Sequence, residues 1–249
     1  MLKTFLNVNV ALSNRFTPHA LFEARAFQLY DWIGQALILD PAVQTVLDIG
    51  AGRTWHFGAL KSKRSFRLIG LDDDADELAA NPLLDDIIVA DASSRLDIPE
   101  RSVDLILSRA TVEHLPNNQT FIENCYRCVR PGGRVLLVFA NRWSPPAILN
   151  RLLPRQVTQH LLLRLVPNSK GYQGFKAPYD ECSHSRFKSM LQNSGFEVEY
   201  EYNSYYSSSY FQFFFPLHTL SIFLDYIRSA LSIRDLSSQC LFVARRPDH

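Results

Sequence analysis

No stretch of this chain reaches the roughly 18 uninterrupted apolar residues that a bilayer-crossing helix needs, so no spanning segment is expected. The start, Met1-Leu2-Lys3-Thr4-Phe5, meets polar Asn7 and Asn9 without a long apolar core or a small-residue cleavage site, which argues against a secretory leader and for a cytoplasmic protein. Cysteine is scarce: four in 249 residues cannot make a disulfide scaffold and suit a reducing compartment. Charge of one sign is also lacking, because 26 basic residues face 25 acidic ones for a net +1. Such a balance gives no field that gathers a polyanion, and nucleic acid is disfavoured as a substrate. An apolar fraction of 47% is ample for one large core, and the length fits a single domain over 1–249.

Glycine numbers only ten, yet two of them, Gly50 and Gly52, stand one residue apart. The run Val46-Leu47-Asp48-Ile49-Gly50-Ala51-Gly52 reads as a buried parallel strand that breaks into a tight turn, where backbone can approach a ligand closely. About 20 residues on, Arg67-Leu68-Ile69-Gly70-Leu71 forms a second apolar strand ending in Asp72, where nucleoside-binding α/β folds hold ribose hydroxyls. A dinucleotide fingerprint would carry a third glycine three residues after Gly52, so that a helix N-terminus could meet a pyrophosphate. Position 55 is Trp. The turn therefore suits a ligand that needs one close backbone approach rather than a pyrophosphate.

These residues resemble the class I S-adenosylmethionine-dependent methyltransferases of the small-molecule type. Val46 to Thr54 resembles their first motif and Gly70-Leu71-Asp72 their second. Ile88-Val89-Ala90-Asp91-Ala92 is similar to the strand whose terminal Asp contacts adenine, and Ser102 to Ser108 to the fourth strand, followed by Val112-Glu113-His114-Leu115. Arg130-Pro131-Gly132-Gly133 through Val138 resembles the turn and fifth strand. The resemblance implies a doubly wound, mainly parallel seven-stranded α/β sheet with the last strand antiparallel. It implies S-adenosylmethionine as cofactor, with Asp48, Gly50, Ala51, Gly52, Asp72, Asp73, Asp91, Ala92, Ser108 and Arg109 around it. One departure is Thr54, where many members carry a third glycine, and this leaves the geometry around the methionine moiety open. Trp55 and His56 just beyond line the pocket or pack the following helix, with packing favoured for Trp55.

Apolar spacing predicts a helix over 20–39, then strands at 46–50, 67–72, 87–90, 103–108 and 134–140 alternating with helical or loop segments. Ligands in such sheets bind at the carboxyl ends of the strands. The proline-rich stretch 141–183, around an apolar helix from Gln156 to Val166, is long enough to read as a substrate-covering lid. A helix over 185–194, a strand at 196–200 and a last strand at 241–244 complete the pattern. The chain thus divides into a helical cap (1–40), a cofactor-binding half (41–141), a lid (142–183) and C-terminal strands (184–249) with an aromatic helical insertion at 204–236. That insertion, rich in Tyr and Phe over 205–215, suits a membrane-surface anchor, a dimer face, an acceptor pocket wall or ordinary core; few lysines or arginines flank it, which favours the last two. Peripheral membrane contact would run through 205–224.

A sulfonium methyl donor asks the protein mainly to align donor and acceptor in a dry site. If the acceptor is a hydroxyl, a base helps, and His114 is the leading candidate, with His184 and His56 behind it. Glu113 either meets the methionine amino group or caps the next helix, and Tyr172, Tyr179 and Asp180 of the lid would meet the acceptor. Cys125 and Cys128 form a CxxC that Cys182 and His184 could complete. Two cysteines three apart on a helix simply share one buried face, so no metal is expected. The second half loosely resembles methyltransferases that accompany polysaccharide or glycolipid assembly enzymes, which suggests a hydroxyl of a sugar or lipid-linked glycan as acceptor. A quinone-type or other apolar small molecule is the rival, and a catalytically silent cofactor-binding subunit or an NAD-dependent nucleotide-sugar enzyme are the readings from other classes.

Overall fold

The computed structural model describes residues 2–19, 25–154 and 177–248. In chain order the described elements are α1 (Leu2–Phe16), α2 (Ala26–Leu39), β1 (Thr45–Ile49), β2 (Arg67–Asp72), α3 (Ala75–Ala79), β3 (Asp86–Val89), β4 (Val103–Arg109), α4 (Asn118–Cys128), β5 (Val129–Ala140), α5 (Pro145–Leu152), α6 (His184–Asn193), β6 (Glu197–Ser204), α7 (Phe215–Ala230) and β7 (Gln239–Arg245). The strands form one sheet in the order β3-β2-β1-β4-β5-β7-β6. Every pairing is parallel except those of β7 with β5 and β6, so the doubly wound architecture with an antiparallel last strand is the one the sequence predicts.

Burial explains the arrangement. Val46, Leu47 and Ile49 of β1 and Leu105, Ile106 and Leu107 of β4 are almost wholly withdrawn from solvent on both faces, as central parallel strands covered by helices must be. One face packs Leu47, Ile106, Phe121, Phe139, Phe187 and Phe242, and the other packs Val46, Leu68, Leu105, Tyr30 and Trp55. Cys125 and Cys128 both lie in the first of these cores, on the inward face of α4.

Three strands differ in length by more than one residue from the sequence expectation. β5 begins at Val129 rather than 134, because the Pro131-Gly132-Gly133 segment stays within the strand, with a register shift opposite Val103 and Leu105. β6 and β7 are longer than predicted because they pair with each other from Glu197–Arg245 to Ser204–Gln239, and edge strand β6 shows little burial alternation to betray its length. Between β1 and β2, the fully described stretch 50–66 holds one 3-10 turn, Gly58–Leu60, and no α-helix. The predicted helix at 20–39 is described from Ala26, while residues 20–24, the predicted helix Gln156–Val166 and Tyr172 lie outside the described residues. α1 lies within the expected helical cap (1–40) but outside the predicted helix at 20–39; its inward residues, Asn9 and Ser13, are polar and its apolar stripe faces outward.

The parallel strands and β6 all end on one edge of the sheet. From there the chain runs through a 3-10 turn, Ser208–Phe211, into α7, against which α1 packs. A buried polar network joins them. Asp225, wholly buried, accepts hydrogen bonds from the Ser207 backbone N–H (3.0 Å), the Ser207 hydroxyl (2.8 Å) and the Ser208 backbone N–H (3.1 Å), and pairs with Arg228. The His218 ring lies between the Ser208 carbonyl and the Thr17 hydroxyl, each at 2.9 Å. Removing one partner of a buried charge pair leaves the other charge and its donors unmatched. Asp225→Ala is therefore expected to lower stability by ~3 kcal/mol in equilibrium urea unfolding, with a smaller loss for Asp225→Asn, which keeps acceptor capacity.

Candidate functional site

At the end of β1 the chain turns at Gly50, whose φ of +78° is one that side chains rarely adopt. Its N–H donates to the Leu71 carbonyl of β2 at 2.7 Å, and the Ala51 N–H reaches the same oxygen at 3.2 Å. A Cβ on Gly50 would fall 2.0 Å from the Thr111 hydroxyl, so the turn is held between β2 and the segment leaving β4. Gly52, with φ +51°, is the opposite case: a Cβ there would meet nothing within 4 Å. The first glycine allows a close protein contact, and the second leaves open space above the turn.

Acidic residues surround that space. One carboxylate oxygen of Asp72 accepts from the Gly52 N–H at 3.0 Å and the other from the Asp74 N–H at 3.1 Å. Both leave lone pairs free on a half-buried group at the carboxyl end of β2. Asp73 beside it is exposed, and burial together with a hydrogen bond to Asp72 raises its pKa. Asp91 follows β3, exposed, with one oxygen occupied by the Ser93 N–H (2.8 Å) and hydroxyl (2.6 Å), and Ala92 next to it is buried. Asp48 lies one residue before the end of β1, opposite Gly70 of β2; burial first and the Asp72 charge second push its carboxyl up to about 7.

On the other side of β1, Ser108 is wholly buried, and its hydroxyl has no hydrogen-bond partner among the described residues. Arg109 lies over the Phe27 ring at 4.7 Å and 3.8 Å from Asp31 of α2, which also pairs with His56 at 2.6 Å. Trp55 is buried against Phe57 and Phe66.

The 3-10 turn Val112–His114 after β4 presents two neighbours differently. His114 is exposed, whereas Glu113 is buried. Oε1 of Glu113 accepts from the Ala140 N–H at 3.3 Å, Oε2 has no partner among the described residues, and burial pushes the carboxyl up to about 7. Helix α4 is capped by Asn117, which accepts from the Thr120 N–H, so Glu113 does not cap it. The Glu113 carbonyl accepts from the Tyr179 N–H at 3.1 Å, and burial pushes the Tyr179 hydroxyl up to about 12. Asp180 accepts from the Asn118 N–H at 2.8 Å, tying this segment to the start of α4. The Cys182 thiol is buried beside the same turn, 3.4 Å from the Asn118 amide and 3.7 Å from the Val112 carbonyl, whereas the His184 ring bonds Asn203 at 3.0 Å and stacks on Phe242. Sequence does not distinguish the adjacent polar residues Glu113 and His114; the fold shows that Glu113 is the one turned inward.

The donor set fits an adenosine-type ligand: open space over a glycine, two acids at adjacent strand ends, and a third, raised one beneath. It does not fit a pyrophosphate, since no helix N-terminus follows the glycine turn in the fully described stretch 50–66.

Comparison with known proteins agrees. Residues 47–137 match the family described as Methyltransferase domain. A probable S-adenosylmethionine-dependent methyltransferase of Mycolicibacterium smegmatis is 33% identical over 133 residues, 51% of this chain and 50% of that protein. A ubiquinone biosynthesis O-methyltransferase of Dechloromonas aromatica is 29% identical over 164 residues, 59% of this chain and 64% of its own. The chain spans about half the length of the first curated relatives it matches. Among solved structures, an S-adenosylmethionine-dependent methyltransferase from Mesorhizobium loti superposes with a TM-score of 0.55 at 16% identity, over 87% of this chain and 98% of that one, a likeness of fold. Residues 47–137 thus carry a match to a methyltransferase domain, and the chain is similar in sequence over about half its length, and in fold, to class I S-adenosylmethionine-dependent methyltransferases.

Proposed function

We propose that the protein transfers a methyl group from S-adenosylmethionine to a hydroxyl of a small molecule, and that Asp48, Gly50, Ala51, Gly52, Asp72, Asp73, Asp91, Ala92, Ser108 and Arg109 surround the cofactor. The observation that carries this reading is the open turn at Gly52 with Asp72 hydrogen-bonded to its N–H. Asp72 has lone pairs left for the ribose hydroxyls, Asp91 sits at the next strand end for the adenine amine, and Ser108 offers a buried, unmatched hydroxyl. The cofactor, when bound, supplies a sulfonium-activated methyl group.

The chain's own residues have then to orient the acceptor, exclude water and take up a proton. His114 and Glu113 are the two groups on the turn after β4 that could do so. Burial, an oxygen without a described partner and a pKa near neutrality favour Glu113 as the base, since a base titrating near the working pH removes a proton most effectively. The segment 142–183 acts in this reading as a lid over the acceptor, within a single domain and a cytoplasmic protein. A hydroxyl on a sugar or lipid-linked glycan is the preferred acceptor. A quinone-type phenol is the second, favoured by the likeness to the ubiquinone biosynthesis O-methyltransferase.

Asp72→Ala should weaken S-adenosylmethionine binding by about tenfold or more in titration calorimetry, and Gly50→Val should abolish it by displacing Thr111. Wild-type affinity in both would sink the site assignment. Glu113→Gln should cut turnover by about a hundredfold with cofactor affinity kept and flatten the acid limb of the pH profile; that pattern in His114→Ala instead returns the role to His114. For the acceptor, extract fractions incubated with the enzyme should yield S-adenosylhomocysteine and a product heavier by one methyl group.

The raised carboxyls also set a pH dependence. Asp48 and Glu113 stay protonated in the folded protein up to about pH 7, but ionise near pH 4 in the unfolded chain. The folded state therefore holds extra protons between those limits, and the stability this contributes, present at low pH, is lost as pH rises through 7. Asp48→Asn should raise the melting temperature of the cofactor-free protein most at about pH 8, less at about pH 5 and little near pH 4, as thermal denaturation across that range would show.

A further inference from the structure

Helix α7 is built inside out. His218, Ser221 and Asp225 recur along one stripe and are buried, with Arg228 half-buried one turn on. The opposite stripe carries Leu220, Phe223, Leu224, Ile227 and Leu231 in solvent, Phe223 at 61% and Leu231 at 65% exposure. α1 repeats the inversion. Asn9 and Ser13 turn inward, Asn9 accepting from the Phe215 N–H at 2.8 Å and Ser13 donating to the Gln212 carbonyl at 3.3 Å. Leu2, Phe5, Val8, Leu12 and Phe16 point outward, and Phe16 meets Phe215 with ring centroids 5.5 Å apart where the two helices touch. A surface helix of a globular protein normally faces the other way round, and two neighbouring inversions leave apolar surface larger than scattered exposed residues explain.

Charge says what covers it. Residues 2–19 and 205–233 contain Lys3, Arg15 and Arg228 and one carboxylate, Asp225, which is buried and paired with Arg228. Lys3 and Arg15 are exposed, so the outer face is positive and carries no exposed carboxylate. The 205–215 segment has few flanking cations in sequence, but folding brings those of α1 beside it. Nearby, α5 reaches the same edge through Asn150, hydrogen-bonded to the Tyr179 hydroxyl next to Tyr210. There Arg142 and Arg151 stack on the exposed Trp143. In a two-fold contact between copies the same patch would meet itself, and Lys3 and Arg15 would find no carboxylate. An anionic bilayer supplies what is missing on both counts, acyl chains for the leucines and phenylalanines and phosphates for the cations.

We propose that the α1–α7 face docks on an anionic lipid bilayer surface, lying on it rather than through it. No described helix is long and apolar enough to cross. The face follows from β6, which ends on the same edge of the sheet as the strands that carry the candidate site, so docking brings that edge toward the membrane. The proposal concerns the surface and stands independently of the acceptor's identity.

The test is flotation of the full chain with phosphatidylcholine vesicles, with and without ~30% phosphatidylglycerol, alongside sedimentation equilibrium without lipid. The chain should float with the anionic vesicles and sediment as a monomer. L220S/F223S should cut the bound fraction about tenfold, and K3E/R15E should remove the preference for anionic lipid, with circular dichroism and cofactor affinity unchanged as folding controls. Equal recovery on neutral vesicles, no recovery on either, or a lipid-free dimer that L220S/F223S dissociates would each overturn the proposal, the last by assigning the face to a second copy.

Discussion

Gly50 has one conformation and one neighbourhood open to it, and the layout of the whole carboxyl edge follows. Its left-handed backbone, donating to Leu71 and pressed against the Thr111 hydroxyl, fastens β1 to β2 on one side and to the exit of β4 on the other. Three strand ends are thereby fixed within a few ångströms of each other. Asp72 and Asp48 come from two of those strands, and Glu113 from the turn after the third. A side chain at position 50 would push the Thr111 segment away and separate the acids from the turn they serve.

The same packing accounts for the electrostatics. Water is excluded beneath the edge by the cores on either face of the sheet, so a carboxyl placed there is driven toward its neutral form unless something compensates it. Asp72 has backbone N–H donors on both oxygens and stays in the wet half of the site. Asp48 and Glu113 lack comparable support and titrate near neutrality. A buried carboxyl without full compensation costs folding energy. Carboxyls perturbed in this way cluster at functional sites, which is the physical ground for placing Asp48 and Glu113 in the proposed site.

Much of this was legible in the sequence because it rests on local, directional signals. Apolar strands followed by Gly50, Gly52, Asp72 and Asp91 report position along the chain and strand end together, and the mainly parallel sheet follows from alternation and right-handed crossovers. Trp55, read against a dinucleotide turn, is buried, and the stretch 50–66 holds a 3-10 turn in place of an α-helix. What stayed hidden depends on which way a residue faces. Glu113 and His114 are adjacent and equally polar in sequence, and only packing distinguishes the inward from the outward one. Within the helical cap, the bounds and inward face of α1 stayed hidden for a related reason: with Asn9 and Ser13 as its inward residues, the apolar stripe marks its outer face. The lengths of β6 and β7 are set by each other, a long-range pairing that no local pattern encodes.

The short connection after β1 has a consequence for how the site can change over time. Where a helix would ordinarily brace the glycine turn, the Asn81 amide donates to the Gly52 carbonyl at 3.0 Å, and Arg53 pairs with Glu77 across the same gap. The brace thus comes from chain nearly 30 residues downstream, beyond β2 and α3. The heritable unit of this site is accordingly the whole span from β1 to Asn81. A graft of the glycine motif alone onto another scaffold would carry the turn without the residues that hold it shut.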